Sequence, residues 1–489
     1  MEEPKLSEDV FEQIKDFDHQ KLTEKQNLLI DKLILNEKLK ECYKENGLCK
    51  ECKQPKNSYV WCQCKFQQNF KNWTSGNNEV DEFIQKSQLK AKISNEILEW
   101  IEYDRFEKVE YLAEGGFGTI YKAIWKDGYI ISWDSENNQW KRSKTWCEEY
   151  EKYPVVLKCL HNSQDITAEF LREIKLYTVL VGSNSIIYCH GISKEPESNN
   201  FIMVMPYAQN GSLRQYLNNN FNSTRWVEKV NILRKTAGGL NNIHKEGLIH
   251  RDFHCGNILN SLGHIRITDL GLCQPANAKP SQDEYKKIYG VLPYVAPEIL
   301  RGKEYTKESD IYGFGIIAHE VCTGLPPYHD IAHDELLAIN ICQGLRPKSD
   351  YKIPQLILDI IKQCWDADPS KRPKAIELYE KLSGLYRNLV YPSSHPSSHP
   401  SSKHELVKQI KEADKINEKL TTISSLYTST TLSYVTNSQA LYTSRLLDFK
   451  YLPEPKNAID NKDDNNSFGE YSESIESIDF TKLDIDKSN

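Results

Sequence analysis

Lys158, Glu173, Asp252, Asn257 and Asp269 are spread through the middle of the chain, each in a setting that asks for a chemical partner. Lys158 ends the apolar run VVLK, where a cation is partly buried and needs a counter-charge. Glu173, in the helical run AEFLREIKLY, can supply one; taken alone, Lys158 reads as an ordinary snorkelling lysine. Asp252, in LIHRDFHCGNIL, can take the proton of an attacking hydroxyl. Asn257, five residues on, offers an amide oxygen to a hard cation such as Mg²⁺, and Asp269 of TDLG offers a second oxygen. Upstream, AEGGFGTIY carries Gly115, Gly116 and Gly118, so a strand–turn–strand can close over phosphates with backbone N–H groups. Each part alone is weak evidence. In this order they are what phosphoryl transfer requires, a reaction that needs alignment and charge neutralisation more than covalent chemistry.

The elements that must position these groups follow from period and composition. VEYLAEGGFGTIYKAIW (109–125) places β-branched and aromatic residues around a glycine turn and predicts paired strands. Residues 129–142 predict a hairpin in which Trp133 and Trp140 pair across the strands, and VVLKCL (155–160) another strand. Beyond about residue 210 helical periodicity dominates. A strand-rich piece followed by a helix-rich piece predicts an α+β architecture with a cleft between lobes.

Ahead of it, residues 1–45 read as helical. Thr23 and Gln26 fit a capping box, Leu29, Leu33 and Ile34 share a face, and Gly47 is a stop. The heptad is not sustained, which favours packing helices over a coiled coil. Residues 77–103 also read as helical, with Ile97, Trp100 and Ile101 at i, i+3 and i+4. Between them lies CKECKQPKNSYVWCQC. Cys49 and Cys52 are spaced as a knuckle for Zn²⁺; Cys62 and Cys64 have one residue between them, shorter than in a usual zinc ribbon. A loop cluster of free thiols is the other reading. The expected domains are a helical, Cys-bearing extension (1–105), a central domain (106–386), and a low-complexity linker with a mostly disordered tail (387–489). PSSHPSSHPSS opens that tail, and 405–420 can form a short helix.

The net charge is −7, and residues 457–489 alone hold nine Asp/Glu against three Lys. The remainder is near neutral, which argues against a nucleic-acid binder. The thirteen cysteines are an odd number, the start MEEPKLSEDV lacks the apolar core of a secretory signal, and no apolar run reaches the roughly 18 to 20 residues that span a bilayer. These features predict a cytoplasmic protein with reduced thiols.

Residues 106–386 resemble a eukaryotic protein kinase domain through AEGGFG, VVLK, HRDFHCGN, DLG, APE (296–298), SDIYGFG (309–315) and KRP (371–373). GSL after residue 210 and QCWDADPSKRP are closest to tyrosine-kinase-like enzymes. The Cys segment and YTSRLLDFKYLPEP resemble a large set of fungal kinase-like proteins. The resemblance implies a bilobal kinase fold, with a small β-rich N-lobe and a larger helical C-lobe, that uses ATP and Mg²⁺ on a protein substrate. It implies that Gly115, Gly116 and Gly118 cover ATP, and that Lys158, paired with Glu173, holds its phosphates. Met205 would be the gatekeeper of a hinge that includes Tyr207 and Ala208, and Ile120, Val156 and Leu259 would sandwich adenine. Asp252 would be the base, and Asn257 and Asp269 the Mg²⁺ ligands. Glu298 would pair with Arg372, and Asp310 would anchor the catalytic loop.

The chain also departs from the family. Ala113 replaces the first lid glycine, Val156 stands where Ala is usual, and Leu270 replaces Phe. His254 and Val291 occupy positions where serine/threonine kinases place Lys and Thr, and the tyrosine-kinase Arg is absent too. His254 is expected to substitute for the lost cation, by a hydrogen bond when neutral and a charge when protonated; facing solvent is the alternative. Turnover would then rise as pH falls from about 8 toward about 6.5. Arg251 is expected to meet a phosphate on the 270–297 segment, at Ser281, Tyr285 or Tyr289. Serine/threonine specificity is favoured over tyrosine. A pseudokinase scaffold is the second reading, supported by Ala113, Val156 and His254, and a protein-binding role for the N-terminal extension is the third.

Overall fold

The computed structural model describes residues 4–115, 118–143, 152–161, 163, 168–180, 184–276, 288–390, 400–424 and 435–458. The chain forms two compact units. The first comprises Met1–Tyr216, Lys235–Ala278 and Thr443–Arg445; the second comprises Leu217–Arg234, Lys279–Tyr442 and Leu446–Asn489.

The first unit opens with helices α1 (Glu8–Ile14), α2 (Glu24–Leu33) and α3 (Glu37–Asn46). The Thr23/Gln26 capping box forms at the start of α2. Gly47 ends α3 at φ 69°, where a Cβ would come within 2.7 Å of the His19 ring. Ile14, Ile30, Ile34 and Tyr43 make a small core of their own. Helices α4 (Cys64–Asn69) and α5 (Asn78–Lys90) follow. The expected helix over 77–103 stops at Lys90. Residues 94–96 form a 3₁₀ turn and Glu99–Trp100 become strand β1, pairing parallel with β7 (Gly191–Lys194). Ile97, Leu98 and Ile101 are all buried, so a short apolar cluster satisfied both periods and could not decide between them.

The main sheet runs in the order β1, β7, β8 (Phe201–Pro206), β6 (Tyr153–Leu160), β3 (Gly118–Trp125), β2 (Phe106–Gly115). The extension thus contributes an edge strand, and no break in packing falls at residue 105. Strands β4 (Tyr129–Asp134) and β5 (Gln139–Ser143) form the expected hairpin with Trp133 opposite Trp140, rings 4.9 Å apart and edge-on. This hairpin packs on the Cys segment: Trp61, Phe66, Ala91, Ile97 and Ile130 share a core with Trp133 and Trp140. Burying one such large side chain is worth about 1.5–3 kcal/mol, so extension and sheet are joined by hydrophobic packing. Helix α6 (Ala168–Leu180) follows, then α7 (Leu213–Asn220) and α8 (Trp226–Lys245), each with residues in both units. Strands β9 (Leu248–Ile249), β10 (Ile258–Ser261), β11 (His264–Ile267) and β12 (Gln274–Pro275) pair as β9–β12 and β10–β11.

The second unit is helical: α9 (Pro297–Leu300), α10 (Lys307–Thr323), α11 (Glu335–Cys342), α12 (Gln355–Cys364), α13 (Ala375–Val390) and α14 (Pro400–Ser424). Strand β13 (Ile288–Gly290) pairs with β14 (Arg445–Leu447). The tail differs from its expectation. The short helix over 405–420 is longer, and it is tied down where Trp226 Nε1 donates to Asp414 at 2.9 Å. Residues 435–458 are packed in an extended course with Leu447 and Leu452 buried, whereas composition reads this stretch as disordered. A few leucines in a polar tail are enough when a folded surface stands ready to receive them.

Candidate active site

Strand β6 alternates. Tyr153, Val155, Leu157 and Cys159 are buried on one face, which puts Val156 and Lys158 together on the other. Gly118 lies across from β6, and a Cβ there would come within 2.3 Å of the Cys159 carbonyl, so the strand contact itself requires glycine. Gly115 pairs with Gly118 and closes the β2–β3 turn; Gly116 lies outside the described residues. Ala113 opposes Ile120, and Ile120 opposes Lys158.

The Lys158 ammonium lies 2.9 Å from Glu173 Oε1 and 2.9 Å from Asp269 Oδ1. Burial works against its charge, and the Asp269 and Glu173 carboxylates overcome this, holding its pKa well above the ordinary lysine range. The three side chains form a buried charge cluster that spans β6, α6 and the DLG turn. Tyr177, one turn beyond Glu173, went unread in the sequence. Its hydroxyl donates to Glu173 (3.3 Å) and accepts from the N–H groups of Asp269 (3.1 Å) and Leu270 (3.3 Å). The i, i+4 spacing from Glu173 was the available signal.

Asp252 is buried, and its Oδ1 has no hydrogen-bond partner among the described residues. Asn257 Nδ2 donates to Asp252 O (3.0 Å) and Oδ2 (3.2 Å). With its nitrogen committed, Asn257 keeps its amide oxygen for another partner. Asp269 stays one-third exposed. An amide oxygen and a carboxylate are a hard-cation donor set, so these residues fit Mg²⁺. Burial opposes ionisation of Asp252; His254, His250 and the Ser444 hydroxyl outweigh it and hold the carboxyl below its usual range. His254 is buried, contrary to a solvent-facing ring. Its Nδ1 accepts from Gly256 N–H at 3.0 Å, and its Nε2 lies 3.4 Å from Asp252 Oδ2. Arg251 and Asp269 adopt left-handed backbone, φ 71° and 59°, costly for such residues and typical of functional turns.

Met205 and Ala208 are buried and Tyr207 half-buried, at the end of β8 and just beyond it. Met205 sits opposite Val156, and Leu259 lies on β10. In the second unit, Arg372 donates to both Glu298 oxygens (2.6 and 2.8 Å), and to the carbonyls of Asp366 (2.9 Å) and Glu308 (3.0 Å). Asp310 is buried in the first turn of α10. Ser281 and Tyr285 lie outside the described residues. The Tyr289 carbonyl accepts from Tyr305 at 2.7 Å.

A second constellation lies in the extension. The sulfurs of Cys49, Cys52, Cys62 and Cys64 lie within 4.8 Å of one another, with Cys49–Cys64 at 3.8 Å and Cys52–Cys62 at 3.5 Å. Thiolates about 2.3 Å from a tetrahedral Zn²⁺ stand about 3.8 Å apart, so the donor set fits zinc. The short Cys62–Cys64 spacing is accommodated because Cys64 opens α4 and turns back toward Cys49. Three of the four are buried, unlike loose thiols on a loop.

No helix among the described residues is long and apolar enough to cross a membrane. Among known proteins, the chain is 28% identical over 295 residues to the tyrosine-protein kinase SPK-1 of Girardia tigrina (58% of this chain, 54% of that protein). It is 27% identical over 299 residues to the serine/threonine-protein kinase VIK of Arabidopsis thaliana (59% and 62%). It is also 27% identical over 293 residues to an Acanthamoeba polyphaga mimivirus protein named as a serine/threonine-protein kinase/receptor. The match spans 58% of this chain and 16% of that relative's length. The model of the family described as protein tyrosine and serine/threonine kinase matches residues 106–382, more than half of the chain, and the chain belongs to that family.

Proposed function

We propose that this chain is an ATP-dependent protein kinase that moves the γ-phosphate of ATP onto a protein hydroxyl, serine or threonine in preference to tyrosine, in cytoplasmic signalling. The observation that carries this reading is the Lys158 ammonium held 2.9 Å from both Glu173 and Asp269. Such pairing, with the DLG aspartate in place, is the arrangement kinase chemistry needs.

Lys158 orients the ATP phosphates and is kept charged by its two carboxylates. Gly115, Gly116 and Gly118 close over the nucleotide, and Ile120, Val156, Met205, Tyr207, Ala208 and Leu259 surround adenine. Asp252 accepts the acceptor hydroxyl's proton, with Asn257 fixing its carboxylate and His254 standing in for the family's cation. Asn257 and Asp269 would hold Mg²⁺, which supplies charge neutralisation on the phosphates. Zn²⁺ in the Cys49/Cys52/Cys62/Cys64 cluster would fix the extension against the hairpin and leave its outer face for a protein partner. The names of the relatives favour serine/threonine transfer in two of the three cases above. The twelve free thiols among the described residues suit a reducing compartment.

Incubation of the purified chain with Mg-ATP and a mixed peptide library, followed by identification of the phosphorylated residues, tests this. Phosphoserine or phosphothreonine that disappears with Lys158→Met is expected. Mg-ATP binding with no transfer would favour a pseudokinase scaffold.

A further inference from the structure

Strand β13 (Ile288–Gly290) is three residues long, and among the described residues its only strand partner is β14 of the tail. Ile288 and Gly290 are buried. Buried backbone N–H and C=O groups need partners, and a pair of strands this short is not stable by itself. On the β13 side, Tyr305 donates to the Tyr289 carbonyl at 2.7 Å. Beyond Gly290 the chain is secured by other means. Leu292, Ile299 and Leu300 are fully buried, and Glu298 is held by Arg372 at 2.6 Å. The stretch that depends on the tail is therefore β13 itself.

The tail brings its own anchorage, within the second unit. Upstream of β14, the His329 carbonyl accepts from Asn437 N–H (2.8 Å), His333 Nδ1 lies 2.9 Å from the Leu441 carbonyl, and the Tyr442 hydroxyl donates to the Pro327 carbonyl (2.9 Å). Downstream, Leu447 and Leu452 are buried. Arg301 donates through Nε to the Leu452 carbonyl (3.3 Å) and through Nη1 to Glu454 (2.6 Å). Lys456 N–H donates to the Cys342 carbonyl (2.8 Å), and Asn457 Oδ1 accepts from Ala367 N–H (2.7 Å). Glu454 is exposed, so its ion pair contributes little; burial of the two leucines carries the docking. Arg301 directly follows α9. The tail thus grips residues 288–301 at both ends, β13 at one and Arg301 at the other.

We propose that residues 435–458 are a built-in brace: the tail completes β13 and keeps the residues just ahead of Val291 in the order that phosphorylation of a protein substrate needs. The inference rests on the kinase reading above, in which control acts on the 270–297 segment. It assigns the tail to the protein substrate and not to ATP, because the contacts named above fall on residues 288–301, 327–342 and 367, and none falls on Lys158, Glu173 or Asp269.

The full chain carrying Leu447→Asp, or Leu452→Asp beyond β14, is compared with wild type by hydrogen exchange and by peptide phosphorylation at varied peptide and ATP. Exchange at Ile288–Gly290 is expected to rise roughly ten- to hundredfold, as the loss of one buried leucine implies. Helices α9 and α10 should keep wild-type protection, which shows that the variant is folded. Peptide kcat/KM should fall with KM for ATP unchanged, and Leu447→Met should restore both readouts. A freed tail with Ile288–Gly290 still protected overturns the brace. Loosened Ile288–Gly290 with wild-type peptide kinetics, or with faster phosphorylation, overturns its role and leaves the kinase reading standing. Wild type that transfers no phosphate overturns both.

Discussion

Tyr177→Phe isolates the least expected part of the site, because it removes one oxygen and keeps the buried ring. That oxygen accepts from the Asp269 and Leu270 N–H groups at 3.1 and 3.3 Å and donates to Glu173 at 3.3 Å. Leu270 is fully buried, so its N–H has no water to turn to once the acceptor is gone. Leaving a buried donor unpaired costs about 1–3 kcal/mol. Both bonds are long, which puts each near the lower end, about 2 kcal/mol together. If the DLG turn relaxes to recover them, Asp269 moves relative to Lys158, and the cost falls on the transition state. At about 1.4 kcal/mol per tenfold, kcat/KM should drop by roughly ten- to thirtyfold, with a raised KM for ATP. Burial first, then Glu173, push the phenol well above its ordinary range, so wild type keeps the hydroxyl protonated and the loss should be independent of pH. Peptide phosphorylation by the variant, alongside its urea midpoint, separates a site effect from general loss of stability. A variant with unchanged kcat/KM, unchanged KM for ATP and unchanged midpoint would refute the clamp.

His190 and His319 are each pushed down to about 3, in both cases chiefly by burial. The unfolded chain takes up these protons near pH 6.5 and the folded chain refuses them, so stability is complete above about 6.5 and declines as pH falls toward about 3. At pH 5 the loss is about 2 kcal/mol per histidine; urea midpoints at pH 7 and 5 check it, and equal values would contradict it. About one zinc per chain is expected by elemental analysis, with Cys62→Ser losing the metal and loosening the α1–α5 region to proteolysis; metal-free wild type with four freely titrating thiols would contradict this. His254, buried 3.4 Å from Asp252 Oδ2, is expected to matter for turnover: His254→Ala should lower the rate of peptide phosphorylation, and an unaltered rate would remove His254 from the reaction.

The meeting of Lys158 with Glu173 and Asp269 was legible because these groups sit in short local motifs whose backbone geometry is set by a few neighbours. HRDFHCGN, TDLG and VVLK each carry their own turn or strand, and the buried alternation of β6 follows directly from its residues. Thr23 with Gln26, and Trp133 with Trp140, were legible for the same reason. What escaped depends on distant surfaces. Glu99 and Trp100 joined a sheet because β7 was present to pair with them, not because of their spacing. The grouping of Cys62 and Cys64 with the first cysteine pair was one of the two readings the sequence offered; what a spacing rule for ribbons does not describe is its route through the start of α4. The packed course of 435–458 depends on Arg301, Pro327, His329, His333 and Cys342, none of which a composition window over the tail can contain. Tyr177 was readable in principle, since its helix face is fixed by Glu173, but nothing in its type distinguishes a clamp from a core tyrosine.

The chemistry at Asp252 can be measured directly by single-turnover transfer of the γ-phosphate to a serine peptide, with Mg-ATP affinity determined in parallel, for wild type and Asp252→Asn. Wild type should transfer phosphate. The variant should bind Mg-ATP within about twofold of wild type and transfer roughly 10²–10⁴ times more slowly. Wild type that binds Mg-ATP and transfers nothing, or a variant as fast as wild type, would contradict phosphoryl transfer through Asp252.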